Sequence, residues 1–165
     1  MRLWSRSSFA RPYIFRLIVL KVTWNLNRPR GMISGAFHVT EETVTALRAL
    51  VADDVRVLGP DHLETLNCRG ALAFFTGKAG DVSAAVTGLR DVLADHLRVL
   101  GPNHPFTLES RRHLAEAIGD AGDPRGAVAA LRDVLTDQTR LFGPDHHDTL
   151  ETRAKLAEWT KRPTT

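Results

Sequence analysis

The stretch "GPDHLETL" at residues 59–66 decides the fold, because the chain contains close copies of it at a constant interval. It returns as "GPNHPFTL" at 101–108 and as "GPDHHDTL" at 143–150, each copy 42 residues after the one before. A catalytic motif normally occurs once in a domain, whereas a regularly spaced phrase is typical of a repeat architecture. The sequence therefore predicts an array of equal structural units.

The phrase belongs to a longer unit with helical spacing. Residues 80–108 and 122–150 are identical at 16 of 29 positions, and a diverged earlier copy occupies 38–66. Apolar residues in the second copy recur at steps of three and four, which indicates one face of an amphipathic helix. They are Ala85, Val86, Leu89, Val92, Leu93, Leu97 and Leu100. No strand pattern appears, so the unit is predicted to be helical.

Each copy of the phrase predicts a joint between two helices. Gly101 follows the long helix, where glycine readily takes the left-handed conformation that ends a helix, and Pro102 cannot continue it. The next Asp/Asn–His pair can cap a second, shorter helix, and Asp81 and Asp123 can cap the following long one. The shorter helices are predicted at 65–78, 106–121 and 148–160. Each unit is therefore a helix hairpin.

These residues resemble the tetratricopeptide repeat family, in the 42-residue variety of kinesin light chains and many bacterial regulators. The family pattern occurs twice. It consists of a large and a small residue side by side in one helix, followed by a small and a large residue in the next helix. It falls on Leu72–Ala73, Ala85 and Leu89, and then on Leu114–Ala115, Ala127 and Leu131. The resemblance implies an all-α, right-handed superhelix of stacked antiparallel hairpins with a concave binding side.

The predicted array spans 38–160: a half unit at 38–58, units at 65–100 and 106–142, and a half unit at 148–160, with 161–165 as a tail. It begins and ends in mid-unit, as a fragment of a longer array would, or one completed by a partner. We expect the open ends to favour self-association. The apolar face expected at the last half unit comprises Leu150, Leu156, Ala157 and Trp159.

The head, residues 1–37, is basic and irregular and is predicted to lie outside the fold. Residues 1–31 hold seven Lys or Arg and no Asp or Glu. Its apolar stretch 12–26 is interrupted by Arg16 and Lys21 and is too short to span a membrane. Three interpretations stay open: a membrane or nucleic-acid tether, a segment upstream of a true start at Met32, or another packed element. A chain starting at Met32 is expected to fold equally well.

The charge balance of the remaining chain argues against nucleic-acid binding. Removing the seven basic residues of the head from the total of 22 leaves 15 in residues 32–165, against 19 acidic residues. A mildly acidic body lacks the basic surface that nucleic-acid recognition requires.

The sequence contains no arrangement typical of catalysis or metal binding. Its single cysteine, Cys68, excludes an intrachain disulfide and is predicted to be a buried thiol, since Ser110 and Thr152 stand at the same position of the later units. The joint histidines His62, His104 and His146 are one full unit apart, too far to share a metal ion, and are predicted to cap or pack. We therefore predict no enzyme activity, no cofactor and no metal.

The function predicted is a noncatalytic protein–protein interaction module in the cytoplasm. The alternative is a detached or truncated sensor or autoinhibitory tail of a larger ATPase-type or transcriptional regulator. An upstream reading frame that encodes a nucleotide-binding domain would favour this alternative.

The resemblance also implies which residues line the concave groove. They are Asn67, Phe74, Glu109, Arg112, Glu116, Glu151 and Glu158, with Lys155 beside them. Phe74 is expected to be either a hot spot for a protein or peptide partner or a helix-packing residue, and Arg112 can hold a carboxylate. Arg112 and Glu116 are also spaced to pair along their own helix. Because glutamates outnumber arginines, the expected partner segment is net basic with one apolar anchor.

Overall fold

The computed structural model describes residues 41–162, in which six helices follow one another without a strand. They are α1 (Glu41–Leu58), α2 (Leu63–Lys78), α3 (Val82–Leu100), α4 (Pro105–Asp120), α5 (Pro124–Phe142) and α6 (His147–Thr160). The all-α prediction is confirmed. The predictions about the head, its Met32 start and the end of the tail fall on residues outside the described range.

The joints form as the repeated phrase predicts. Gly59, Gly101 and Gly143 have φ angles of +93°, +84° and +95°, a region that favours glycine. In each joint, the histidine three residues after the glycine is the N-cap of the next helix. Its Nδ1 atom accepts a hydrogen bond from the backbone N–H two residues later. The distances are 3.2 Å for His62 and 3.3 Å for both His104 and His146.

Within each hairpin, small residues bring the two helices close together. A Cβ atom placed on Gly88 of α3 would lie 2.9 Å from the Cβ atom of Ala73 on α2, so the backbones are almost in contact. Ala73, Ala85 and Leu89 are buried at this crossing. The next hairpin repeats the arrangement with Ala115, Ala127 and Leu131. These residues are the ones that carry the repeat pattern in the sequence.

The hairpins stack so that the first helix of each faces the inside of the array. In the described part of the chain, α2 contacts α4 and α4 contacts α6, whereas α1, α3 and α5 make no close contact with one another. The array therefore curves around α2, α4 and α6, which form its inner face.

The last helix departs from the prediction of an open apolar face. Trp159 is only 4% exposed and packs against Gly119 of α4, and Leu156 is partly buried against the same cluster. Of the four predicted residues, only Leu150 and Ala157 lie open to solvent, and Leu150 is 45% exposed. The contact of α6 with α4 accounts for the difference, because it turns Trp159 inward.

Candidate partner-binding groove

The eight predicted groove residues all lie on the three helices of the inner face. Asn67 and Phe74 belong to α2, the residues Glu109, Arg112 and Glu116 to α4, and Glu151, Lys155 and Glu158 to α6. Their environments differ, from buried to exposed.

Arg112 and Glu116 are buried and bound to each other. Arg112 is 6% exposed and Glu116 is 7% exposed, and Arg112 Nη1 donates to Glu116 Oε1 over 2.8 Å. The same nitrogen lies 3.3 Å from Glu151 Oε1 on α6. The guanidinium is therefore bound within the chain and pairs along its own helix with Glu116, the second of the two roles that the sequence left open for Arg112.

Lys155 extends this arrangement along α6. Its Nζ atom lies 3.5 Å from Glu116 Oε2 and 3.4 Å from Glu158 Oε2. Five of the eight predicted residues thus form one network of alternating charge that joins α4 to α6. A network of this kind fixes the spacing of the two helices.

The network continues through three residues that the sequence reasoning missed. Arg162 lies 2.9 Å from Glu158 and 3.4 Å from Asp120, and Lys78 lies 3.4 Å from Asp120. Hydrogen bonding from Arg162 lowers the pKa of Glu158. Lys78, Asp120 and Arg162 stand 42 residues apart, so the repeat period marks them as equivalent positions, although it does not show that they pair.

Phe74 lies at the wall of an open cleft between α2, α3 and α4. Its ring is half-buried, with its centroid 5.1 Å from that of His113 and 5.3 Å from that of Phe75. Lys78 Nζ lies 5.3 Å from the Phe74 ring centroid, within cation–π range. The cleft measures about 310 Å³ with its open mouth included, and its apolar lining includes Leu89. Most of this volume is open to solvent, so the cleft is a shallow apolar depression in the inner face.

His113, for which the sequence analysis predicted no role, is neutral at physiological pH. Burial, reinforced by the neighbouring cations with Arg112 foremost, lowers its pKa to about 3. Arg112 Nη2 lies 3.1 Å from His113 Nε2 and has only donors, so Nε2 is the accepting nitrogen. His113 therefore links the ion-pair network to the aromatic wall of the cleft.

Glu109 and Asn67 lie outside this network. Asn67 is half-buried on α2, and Glu109 is exposed on α4. Partial desolvation raises the pKa of Glu109 against the opposing effect of Arg112, and the charges of Asp148 and Glu151 raise it further. This end of the groove is therefore acidic.

The described residues show no feature that points to metal chemistry or a membrane span. No three His, Cys, Asp or Glu side chains of residues 41–162 are grouped so that they could hold a metal ion. None of the helices α1–α6 is both long and apolar enough to cross a bilayer. Cys68 is buried as predicted, and burial together with Asp54 raises the pKa of its thiol.

Comparison with known proteins agrees with this architecture. Two solved structures of a Podospora anserina protein described as a kinesin light chain, with nearly identical TPR-like repeats, superpose with TM-scores of 0.71. They are 26% and 25% identical in sequence over 90% and 91% of this chain, which spans 66% of the length of each. No curated protein matches the sequence. The tetratricopeptide repeat family model matches residues 65–106 and 107–148, and the chain therefore belongs to the tetratricopeptide repeat family.

Proposed function

We propose that this chain is a noncatalytic protein–protein interaction module of the cytoplasm that binds a partner peptide in its inner groove. The observation that carries the proposal is the position of Phe74, a half-buried aromatic side chain at the wall of an open cleft with charged groups around it. Aromatic side chains in such settings supply much of the binding energy of protein interfaces. Membership of the tetratricopeptide repeat family supports an interaction role.

The partner segment carries one apolar anchor and a basic residue beside it. The anchor enters the cleft next to Phe74. The positive charge interacts with the acidic end of the groove at Glu109, since Glu116 and Glu158 are already neutralised by Arg112, Lys155 and Arg162. The charge preference thus depends on Glu109 and Asp148 more than on the total number of glutamates.

A library of random displayed peptides tests the proposal without knowledge of the natural partner. The wild-type chain is expected to select peptides with one bulky apolar residue and a nearby Lys or Arg. F74A should weaken the selected peptides at least tenfold, which is about 1.4 kcal/mol. E109K should weaken those with the basic residue, because Glu109 is exposed and its replacement leaves the core intact.

A matched control separates binding from folding. L97A removes an apolar side chain of similar size that is 43% exposed on α3, one of the helices outside the inner face, and should bind as wild type does. E116K is unsuitable as a groove variant, since Glu116 is buried between Arg112 and Lys155. If the selected peptides bind F74A and E109K as tightly as they bind the wild-type chain, the binding surface lies elsewhere.

A further inference from the structure

Trp159 of α6 covers the hairpin formed by α4 and α5, here called the second hairpin. A Cβ atom placed on Gly119 of α4 would collide with the indole ring. The ring belongs to the same buried cluster as Ala127 and Leu131 of α5, and Trp159 is only 4% exposed. An aromatic ring supplied by the next helix of the inner face therefore closes the apolar surface of this hairpin.

The cleft beside Phe74 is the same place in the first hairpin, formed by α2 and α3. Three residues that line this cleft stand one period before the three that Trp159 covers, and they are Gly77, Ala85 and Leu89. One period before Trp159 itself stands Ala117 of α4, which also lines the cleft. The two sites are therefore equivalent, and they differ in the side chain that the following inner helix supplies.

Ala117 is the small member of a position that is otherwise aromatic. Phe75 of α2 and Trp159 of α6 stand 42 residues before and after it. The alanine side chain ends at Cβ and does not reach over the first hairpin. Apart from the chain neighbours of Gly77, the side chain of Ala85, at 2.8 Å, is the only one of the described residues within 4 Å of a Cβ atom placed on this glycine. Within the described chain, the first hairpin thus lacks the ring that covers the second.

We propose that Ala117 determines the specificity of the groove, because the partner's anchor is a planar aromatic side chain that lies on Gly77 as Trp159 lies on Gly119. The inference rests on the proposed function, since it identifies the anchor of the same partner peptide. Aromatic rings pair favourably with one another, and Phe74 and His113 line the cleft with their ring centroids 5.1 Å apart. In a shallow depression a flat ring makes contact over a whole face, whereas a branched aliphatic side chain touches with only part of its atoms.

The variant A117W supplies the ring from the chain itself and tests the site directly. The added indole should cover the first hairpin as Trp159 covers the second, so the Tm should equal or exceed that of the wild-type chain. The peptides selected from the displayed library should bind A117W at least about tenfold more weakly, because their anchor has lost its place. A129W adds the same ring at an exposed alanine of α5, outside the inner face, and should bind as the wild-type chain does.

Two measurements on the wild-type chain test the anchor without any change to the protein. Replacing the aromatic residue of a selected peptide by leucine should weaken binding about threefold to tenfold, whereas replacing it by another aromatic residue should change binding little. At about 1–10 mM, the range expected for a single side chain, N-acetylphenylalaninamide should shift the NMR signals of the Ala85 and Ala117 methyl groups. N-acetylleucinamide is the matched control and should leave these signals in place.

The outcomes separate this inference from the proposed function on which it rests. If F74A and E109K weaken binding but leucine serves as well as an aromatic anchor, the groove binds peptides and the inference about Ala117 is wrong. A folded A117W that binds the selected peptides as the wild-type chain does overturns it equally. If A117W does not fold, the leucine exchange and the two amides decide the question. Binding that neither F74A nor E109K changes would overturn the proposed function and this inference together.

Discussion

His96 Nδ1 lies 2.8 Å from Ser110 Oγ, and both side chains are buried between α3 and α4. The same two positions hold Asp54 and Cys68 one unit earlier and Gln138 and Thr152 one unit later, all of them buried. Each contact between successive hairpins therefore contains a buried polar pair of different chemistry. Among them, only the His96 pair contains a histidine, which is the side chain that titrates near neutral pH.

We predict that the chain loses stability as the pH falls below about 6.5, the ordinary pKa of histidine. Burial, with the nearby His104, lowers the pKa of His96 in the folded state, and its Nε2 has no hydrogen-bond partner in the described structure. The unfolded chain takes up the proton first, so the stabilising effect is complete above about 6.5 and is lost as the pH decreases. Melting followed by circular dichroism should show a lower Tm at pH 5 than at pH 7.5.

The variant H96Q is the matched control, because glutamine stands at the equivalent position 138. It should reduce the slope of Tm against pH without abolishing it, since His113, with a pKa of about 3, contributes with the same sign. Asp95 and Asp137 have lowered pKa values, so their contributions are lost only in more acidic solution. A Tm that is constant from pH 7.5 to pH 5 would contradict the prediction.

A threonine hydroxyl closes the joint after α3. Thr107 Oγ1 donates to the carbonyl oxygen of Gly101 over 2.8 Å, whereas the equivalent Thr149 Oγ1 is buried and has no hydrogen-bond partner among residues 41–162. T107V should therefore lower the free energy of unfolding by about 1 kcal/mol, and T149V should leave it unchanged or raise it slightly. Urea denaturation of the two variants measures the difference. Equal losses would show that the hydroxyl bond does not stabilise the joint.

The repeat period allowed the joints and the hairpin core to be predicted, because these contacts are made within one unit or with its neighbour in sequence. Gly101, His104 and Ala115 are examples of residues whose role follows from position alone. For the groove, the sequence allowed us to predict which positions lie on the inner face, but not which side chains pair with one another there. The pairing of Arg112 with Glu151, or of Lys78 with Asp120, depends on how far one hairpin is rotated against the next, which the period does not specify.

Removing only the arginine of the buried Arg112–Glu116 ion pair should cost more stability than removing both of its side chains. R112A leaves Glu116 buried with only Lys155 nearby, and we expect a loss of about 3 kcal/mol in the free energy of unfolding. The double variant R112A/E116A removes the stranded carboxylate and should be more stable than R112A alone. Urea denaturation at pH 7 measures both, with R132A as an exposed control that should change little. A double variant less stable than R112A would contradict this account.

Trp159 holds α6 against the rest of the array through its contact with Gly119. The indole ring covers Gly119 so closely that a methyl group there would collide with it, and the guanidinium of Arg162, just after α6, lies 3.7 Å from the ring centroid. W159A should therefore lower the free energy of unfolding by about 3 kcal/mol, because it leaves a cavity in the cluster with Ala115 and Leu131.

The same contact predicts that the effect of G119A on the free energy of unfolding changes sign when Trp159 is replaced by alanine. In the wild-type chain G119A should destabilise, because the added methyl group forces Trp159 out of its position. In the W159A background the space is free, and alanine favours the helix over glycine by up to about 1 kcal/mol, so G119A should be neutral or stabilising. Urea denaturation of the four chains gives the coupling energy directly. If G119A has the same effect in both backgrounds, Trp159 does not pack on Gly119, and the route by which α6 joins the inner face must be different.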